Sequence, residues 1–139
     1  MDRLTAERRS WNMSRIRGKD TEPERRVRSI LHKMGFRFSL RRRDLPGRPD
    51  IVLTRHGAAI FVHGCFWHRH KKCRNSVLPK TRRAFWLAKL NGNVERDKRN
   101  ILALKRLGWK VLTVWECELT NKAKLSQALR AKLTKAQNG

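Results

Sequence analysis

The sequence has few acidic residues, few cysteines and no long apolar run. No stretch approaches the roughly 20 consecutive apolar residues that a membrane-spanning helix needs, and residues 1–13 contain no apolar segment of the kind that marks a secretory signal. Three cysteines are an odd number for a disulfide framework. We therefore expect a cytoplasmic protein with no membrane association, in a reducing compartment where the cysteines are thiols or metal ligands.

The shortage of acids leaves a large excess of positive charge. Lysine and arginine number 35 against 11 aspartates and glutamates, which gives a formal net charge of +24. A chain of this kind repels itself unless it meets a polyanion, so the composition indicates a nucleic-acid partner. A ribosomal role and a merely solubilising charge are the alternatives that composition leaves open. The 139 residues, 39% of them hydrophobic, suit one globular domain.

The clearest predicted helix begins at Thr21. This threonine is a favourable N-cap, and Glu24 stands three residues later, where a capping box places a carboxylate. Apolar residues then recur at helical spacing at Val27, Ile30, Leu31 and Met34. Gly35 is a suitable C-terminal stop. Residues 1–20, which are basic and weakly periodic, are predicted to form an N-terminal arm.

The rest of the chain predicts further strands and helices. We predict strands at residues 36–40, 50–53, 58–63 and 109–115, and helices at residues 81–107 and from about residue 121. The second and third strands form a hairpin that turns at residues 55–57, and the long helix has a potential break at residues 91–93. The strand–helix–strand unit implies a parallel crossover, so the sheet is mixed and helices complete a three-layer α/β domain. We assign this domain to residues 21–134, followed by a frayed C-terminal end at residues 135–139.

The predicted hairpin brings a carboxylate and an imidazole to one edge of the sheet. A turn at residues 55 and 56 places Asp50 opposite Phe61 and diagonal to His63 on the same face. A one-residue change in the turn places Asp50 opposite Val62 instead. Either register gathers a carboxylate, a histidine and strand-end carbonyls, the oxygen-rich set that suits Mg²⁺.

This layout resembles the PD-(D/E)xK core of restriction-endonuclease-like proteins, with its second half altered. Phe61 and His63 stand where that core has an acid and a lysine, so an imidazole would act as base or proton relay. The alternative is structural: Asp50 caps the strand and His63 is an ordinary strand-end histidine.

Two further acids could serve the same site. Asp97 lies three residues after Val94 and four before Ile101, so it shares the apolar stripe of its helix and needs a partner. That partner is either a histidine, which Asp97 would orient, or an arginine in a buried salt bridge. Glu24 is explained by the capping box, although a first-turn carboxylate could also order water near a metal.

The aperiodic segment after the hairpin is crowded with metal-ligating residue types. Cys65, His68, His70 and Cys73 lie within nine residues, and Cys117 follows a strand that can return to the same edge. Three thiolates and one imidazole would make a closed tetrahedral zinc site. The basic surroundings, and a loop that nothing else in the sequence would hold in place, favour zinc over three unrelated buried cysteines. The spacing matches no common zinc finger and leaves His68 and His70 interchangeable.

Aromatic residues are interleaved with basic ones in the same region. Phe66 and Trp67 lie in the aperiodic segment, and Trp86 stands near the start of the long helix among arginines and lysines. This pattern suits DNA contact, in which an inserted wedge costs on the order of a few kcal/mol of unstacking and a mismatch lowers that cost. Core packing is the alternative, and it is our interpretation of Trp109 and Trp115.

Several sequence blocks, in this order, resemble those of the very-short-patch mismatch repair (Vsr) endonuclease family. They are NMSRIRGKDT (12–21), LPGRPD (45–50), FVHGCFWH (61–68), LPKTR (78–82), FW (85–86), NVERD (93–97) and LGWKVLTVWECEL (107–119). The resemblance implies a monomeric, bacterial-type, nucleoid-associated enzyme that nicks duplex DNA by Mg²⁺-assisted phosphodiester hydrolysis. The implied nick lies 5′ of the thymine in T:G mismatches that arise from deaminated 5-methylcytosine.

The resemblance also implies roles for individual residues. Asp50 would hold the catalytic Mg²⁺ with the backbone carbonyl of Val62. The other implied catalytic residues are His63, His68, Asp97 and Glu24. The implied ligands of a structural Zn²⁺ are Cys65, His70, Cys73 and Cys117. The implied DNA contacts are the wedge residues Phe66, Trp67 and Trp86, and Met13, which would enter from the other groove on the N-terminal arm.

The sequence departs from the family pattern at two places. Val62 stands where a well-known relative has threonine, which is harmless if only the backbone carbonyl binds metal. The spacing from His70 to Cys73 is one residue longer than in that relative. Besides mismatch nicking, two functions stay open: a nicking endonuclease of the same core with another DNA specificity, and a zinc-stabilised, non-catalytic DNA-binding module. Mismatch-repair proteins are further candidate partners.

Overall fold

The computed structural model describes residues 21–40, 42–71, 73 and 77–134. Its helices and strands are, in chain order, α1 (Glu22–Lys33), β1 (Ile51–Leu53), β2 (Ala58–His63), α2 (Arg83–Arg106), β3 (Lys110–Trp115) and α3 (Lys122–Thr134). Short 3-10 turns occupy Thr54–His56 and Glu116–Thr120. The predicted arm, which carries Met13, and the predicted frayed end lie outside the described residues. Within the described ranges, no helix is long and apolar enough to cross a membrane.

Helix α1 has the predicted N-cap and C-terminal stop. The hydroxyl of Thr21 accepts a hydrogen bond from the backbone N–H of Glu24 at 3.4 Å, and a proline occupies the first turn. Such a cap satisfies one of the amide groups that the first turn leaves without a helical partner. The helix ends before Gly35, whose φ of +89° is readily adopted only by a residue without a side chain.

The sheet is mixed and has the order β1-β2-β3. Strand β1 is antiparallel to β2, with Ile51 opposite Ile60, and β2 is parallel to β3, with Ala58 beside Lys110. The turn between β1 and β2 closes at Gly57, which has a φ of +62°. The antiparallel register is the first of the two predicted from the sequence, and its continuation puts Asp50 opposite Phe61.

The strand predicted at residues 36–40 is wrong for most of its length. Among these residues only Ser39 pairs with the sheet, through an isolated antiparallel bridge in which it exchanges hydrogen bonds with Val52 at 2.8 and 2.9 Å. The alternation in the sequence has another cause: Phe36 is buried in the core, and Phe38 and Leu40 pack against it. Because β1 is only three residues long, it has few backbone groups with which a fourth strand could pair.

The potential break in the long helix is also wrong, because α2 runs without interruption through residues 91–93. A glycine in a helix interior costs roughly 1 kcal/mol relative to alanine. Gly92 lies where a Cβ would meet nothing within 4 Å, and the neighbouring Asn93 is buried. The side-chain amide of Asn93 donates to the backbone carbonyl of Trp67 at 3.1 Å, so this part of the helix is tied to the loop after β2.

Helices cover both faces of the sheet. The larger apolar cluster joins one face to α1 and α3, through residues such as Leu31 and Leu129. The smaller cluster joins the other face to α2, where Leu104 packs with Val52, Ala59 and Phe61. The face toward α2 is the one that also carries His63, two residues after Phe61, because side chains alternate along a strand. The described residues therefore form three layers: α1 and α3, the sheet, and α2. The His63 side chain at the end of β2 lies on the face that α2 covers.

Candidate active site and candidate metal centre

Asp50 ties the beginning of β1 to the end of β2. Its Oδ2 accepts a hydrogen bond from the backbone N–H of Val62 at 2.7 Å. Burial raises the pKa of the Asp50 carboxyl to about 7, the Val62 N–H opposes that rise, and the charge of Glu24 adds to it. A positive charge close to a buried acid with a raised pKa favours its carboxylate form. Asp50 therefore fits a cation ligand on the evidence of its own surroundings.

His63, His68 and Asp97 form one compact group. Nδ1 of His68 lies 2.5 Å from Oδ2 of Asp97, and the His68 and His63 rings stack in parallel with centroids 3.8 Å apart. Possible ligand atoms of the three side chains all lie within 4.8 Å of one another. Spacing alone left Asp97 with a histidine or an arginine as its partner, and the structure gives it the histidine.

His63 is held as a neutral imidazole. Burial lowers the pKa of His63 to about 4, the neighbouring His68 lowers it further, and Asp97 acts in the opposite direction. Nδ1 of His63 is buried and has no hydrogen-bond partner among the described residues. A neutral ring with an unused nitrogen has the protonation state of a general base, but a pKa near 4 makes it a weak one until a nearby negative charge raises that pKa.

Glu24 lies on the same side of the molecule, in the first turn of α1. It is only 7% exposed, and its carboxylate is paired with Arg28 at 3.2 Å. Glu24, Asp50, His63, His68 and Asp97 all line one cleft of about 640 Å³. The structure therefore brings together five of the residues singled out in the sequence, from α1, the position just before β1, the end of β2, the following loop and α2.

The Cys/His cluster consists of Cys65, His70, Cys73 and Cys117. Their candidate ligand atoms lie within 4.8 Å of one another, and Sγ of Cys117 is 3.4 Å from Nδ1 of His70. Burial raises the pKa of the Cys65 thiol to about 12 and also raises that of Cys117. Three sulfurs and one imidazole nitrogen are soft and borderline donors in the number that a closed tetrahedral zinc site uses. The group fits zinc, with His70 and not His68 beside the thiols.

The local backbone explains why His68 and His70 point to different groups. The His68 N–H donates to the carbonyl of Gly64, and the His70 N–H donates to the carbonyl of Cys65 at 2.9 Å. Arg69 between them has a φ of +50°, in the left-handed region. This tight turn reverses the side-chain direction within two residues, so one imidazole reaches Asp97 and the other reaches the cysteines.

The three predicted wedge residues form one aromatic cluster beside the cleft. The ring of Phe66 lies 5.2 Å from Trp67 and 5.5 Å from Trp86, and the two tryptophan rings are 5.9 Å apart, all edge-to-face. Phe85 extends the cluster, is 44% exposed, and lies under the guanidinium of Arg82 at 4.3 Å. Phe66 and Trp67 also line the cleft.

Three residues that build this region were not predicted from the sequence. Trp115, interpreted from the sequence as a core residue, is half-buried and lies between the rings of His63 and His70. Glu116 accepts a hydrogen bond from the Cys65 N–H at 3.1 Å, and Asn93 holds the carbonyl of Trp67. Two signals were available: Trp115 and Glu116 directly precede Cys117, and Asn93 lies one helical turn before Asp97. Trp109, in contrast, packs against the smaller core cluster as expected.

Comparisons with known proteins bear on this site. The model of the family described as DNA mismatch endonuclease Vsr matches residues 1–75. The chain is 50% identical over 129 residues to the type II nicking enzyme V.XorIIP of Xanthomonas oryzae pv. oryzae, covering 93% of this chain and 94% of that protein. It is 48% identical over 126 residues to the DNA mismatch endonuclease Vsr of Escherichia coli K12, covering 90% and 80%. It is 44% identical over 122 residues to the type II nicking enzyme V.NmeAIP of Neisseria meningitidis, covering 88% and 86%.

Several carboxylates, two imidazoles and an aromatic cluster around one cleft, on a strongly basic chain, are typical of an enzyme that acts on nucleic acid. The comparisons are more specific. The chain belongs to the family of DNA mismatch endonuclease Vsr, as the sequence blocks predicted. It is therefore a DNA endonuclease, a DNA-binding hydrolase of the mismatch-repair type.

Proposed function

We propose that this chain nicks duplex DNA on the 5′ side of the thymine in T:G mismatches left by deaminated 5-methylcytosine, by Mg²⁺-assisted hydrolysis of one phosphodiester. The observation that carries the proposal is the single cleft in which Asp50 meets the His63–His68–Asp97 group, with Phe66 and Trp67 on its wall. The proposed catalytic residues and the proposed wedge residues are then adjacent, which a nick beside a mismatch requires. The variant PD-(D/E)xK, restriction-endonuclease-like core is part of the same proposal.

Asp50 and the backbone carbonyl of Val62 would hold the Mg²⁺. A bound Mg²⁺ would supply positive charge to the phosphate and favour ionisation of the attacking water. The fit rests on the buried carboxylate of Asp50, which needs a nearby positive charge to ionise fully at neutral pH. Val62 instead of threonine is compatible with this role, because a backbone carbonyl does not depend on the side chain. Glu24 would order water at the edge of the site.

The two histidines would divide the proton transfers between them. His63, neutral and with a free ring nitrogen among the described residues, would accept the proton of the attacking water. His68 would use Nδ1 to donate to Asp97, which fixes the ring tautomer and leaves Nε2 for the substrate. Protonated in that orientation, His68 could give a proton to the leaving oxygen of the phosphodiester.

Cys65, His70, Cys73 and Cys117 would hold a structural Zn²⁺. These ligands join the loop after β2 to the turn after β3, so the metal would fix the backbone that also carries His68 and the wedge residues. The closeness of the four candidate ligand atoms, all within 4.8 Å of one another, supports this site despite the extra residue between His70 and Cys73. The zinc would thus act on the reaction only by shaping the site.

DNA recognition would combine charge with stacking. The net charge of +24 supplies phosphate contacts that are independent of sequence. Phe66, Trp67 and Trp86 would stack beside the mismatched pair from one groove, with Met13 entering from the other. The enzyme would act as a monomer on nucleoid DNA in the bacterial cytoplasm, with mismatch-repair proteins as further partners.

A second candidate is a nicking endonuclease of the same core with another DNA specificity. The names of two relatives, type II nicking enzymes V.XorIIP and V.NmeAIP, favour keeping it. The two candidates share every catalytic residue and differ only in substrate. A non-catalytic DNA-binding module is disfavoured, because it would not need two imidazoles and several acids gathered in one cleft.

The test is a nicking assay on three duplexes that differ at one position, carrying T:G, T:A or C:G, each with one strand labelled. With Mg²⁺ the purified protein should cut the thymine strand of the T:G duplex and leave the others intact, and EDTA should stop the reaction. His68→Ala, loaded with zinc, is the inactive control. Equal nicking of the three duplexes would reject mismatch specificity in favour of the second candidate, and no nicking of any duplex would reject the proposed reaction.

A further inference from the structure

Trp115 lies between the Cys/His cluster and the proposed catalytic histidines. Its indole stacks on the His70 ring with centroids 4.1 Å apart and planes inclined by 11°. It meets the His63 ring edge-on, at 5.2 Å and 74°. His63 in turn stacks on His68, so ring contacts run continuously from the metal cluster to the group that contains Asp97.

The backbone around Trp115 is well fixed. Trp115 is the direct partner of His63 in the parallel pairing of β2 with β3, so the two side chains stand side by side on one face. The backbone N–H of Trp115 donates to the carboxylate of Glu118 at 2.8 Å. The backbone that carries the indole is therefore fixed, and the His70 ring stacks on one face of the indole.

His63 and His68 are oriented in different ways. His68 has a carboxylate partner in Asp97, whereas Nδ1 of His63 is buried and lacks a hydrogen-bond partner among the described residues. Ring packing therefore contributes to the orientation of His63. The contributing rings are Phe61 at 5.7 Å, His68 at 3.8 Å and Trp115 at 5.2 Å. Of these, Trp115 is the one that also touches the Cys/His cluster.

We propose that Trp115 is a positioning residue: held against the Cys/His cluster by its stacking on His70, it restricts the orientation of the His63 ring. It does not touch the substrate; it limits the ring orientations open to the proposed base. The inference rests on the proposed catalytic role of His63. A displacement of about 1 Å at a reacting group can cost on the order of 10²-fold in rate, so a lost ring contact at this place should be measurable.

The test compares Trp115→Leu with Trp109→Leu in the full-length, zinc-loaded protein. Trp109 lies just before the same strand but packs on the smaller core cluster, so it controls for the loss of a large aromatic ring. Zinc content, binding to a T:G duplex and single-turnover nicking are measured for both variants. Trp115→Leu should keep its zinc and bind within about threefold of wild type, yet nick at least about tenfold more slowly. Trp115→Phe should recover most of the rate, and Trp109→Leu should change it by less than about threefold.

A second readout does not depend on activity. Modification of His63 by diethyl pyrocarbonate, followed by mass spectrometry on the zinc-loaded protein without DNA, reports how well the ring is held. The modification should be faster in Trp115→Leu than in wild type and unchanged in Trp109→Leu. If Trp115→Leu does not fold, Trp115→Met, which retains more side-chain volume, takes its place with the same expectations.

Two results overturn the inference. One is a Trp115 variant that keeps wild-type nicking and wild-type modification of His63. The other is a loss of nicking that accompanies loss of zinc in equal measure, which would make Trp115 part of the metal site alone. The variant His63→Ala separates this failure from that of the proposed function. If His63→Ala nicks at the wild-type rate, the role of His63 fails; if it is inactive while the Trp115 variant is fully active, only the positioning role fails.

Discussion

The carboxylate of Asp97 lies 2.5 Å from Nδ1 of His68, and this contact joins the middle of α2 to the loop after β2. In the proposed mechanism, this contact lets Asp97 set the tautomer of His68. We predict that Asp97→Asn lowers the single-turnover nicking rate by between about 10² and 10⁴-fold, because the amide cannot support a protonated imidazole. DNA binding and melting temperature should stay near wild type, since the side chain keeps its shape. A rate within threefold of wild type would contradict the role of Asp97.

The two histidines of the loop should behave in opposite ways. His68→Ala should strongly slow nicking, by about 10²-fold or more, while zinc content and melting temperature stay near wild type. His70→Ala should first lose zinc and stability, and activity should fall as a consequence. The measurements are metal content, thermal melting and single-turnover cleavage on both variants. Zinc loss in His68→Ala with zinc retention in His70→Ala would invert the assignment.

Replacing Cys65, Cys73 or Cys117 by serine should release the metal from the Cys/His cluster. Because the binding free energy of a structural zinc site contributes to folding, each variant should melt about 10 °C or more below wild type. Equimolar zinc in the wild-type protein and its loss in the variants would be measured by elemental analysis. Wild-type protein purified without chelator that contains no zinc would reject the four-ligand site.

Trp67→Ala should reduce the preference for a mismatched over a matched duplex more than it reduces the affinity for matched DNA. Stacking of one base on an aromatic side chain is worth about 1–3 kcal/mol, so binding to a T:G duplex should weaken by roughly 5- to 100-fold. Binding to the matched duplex should change little, because phosphate contacts remain. Both affinities are measured by fluorescence anisotropy at one salt concentration. Equal losses on the two duplexes would mean that Trp67 is a packing residue.

The parts of the fold that depend on local rules could be predicted from the sequence. Thr21 and Gly35 bound α1 as expected, because caps and stops act on neighbouring residues. The hairpin has one of the two registers that the short turn allowed, the one that places Asp50 opposite Phe61. Residues 36–40 were misread because one-sided packing of Phe36 and Phe38 produces the same alternation as a paired strand.

The candidate site could be predicted as a set of residues but not as an arrangement. Spacing cannot choose between His68 and His70, since the choice depends on the left-handed backbone of Arg69. The role of Trp115 was missed for a related reason: periodicity indicates the face of a strand, but the neighbours on that face come from a distant loop. Asn93 was taken as part of a helix break, whereas its burial and its bond to Trp67 stabilise that segment.

The most direct measurement is the mapping of the cut at nucleotide resolution on a duplex with one T:G mismatch, labelled in turn at each strand. With Mg²⁺, the wild-type protein should form one product, broken at the phosphodiester 5′ of the mismatched thymine, and His68→Ala should not form it. A cut in the guanine strand, or the same cut at equal rate in a fully paired duplex, would contradict the proposed function.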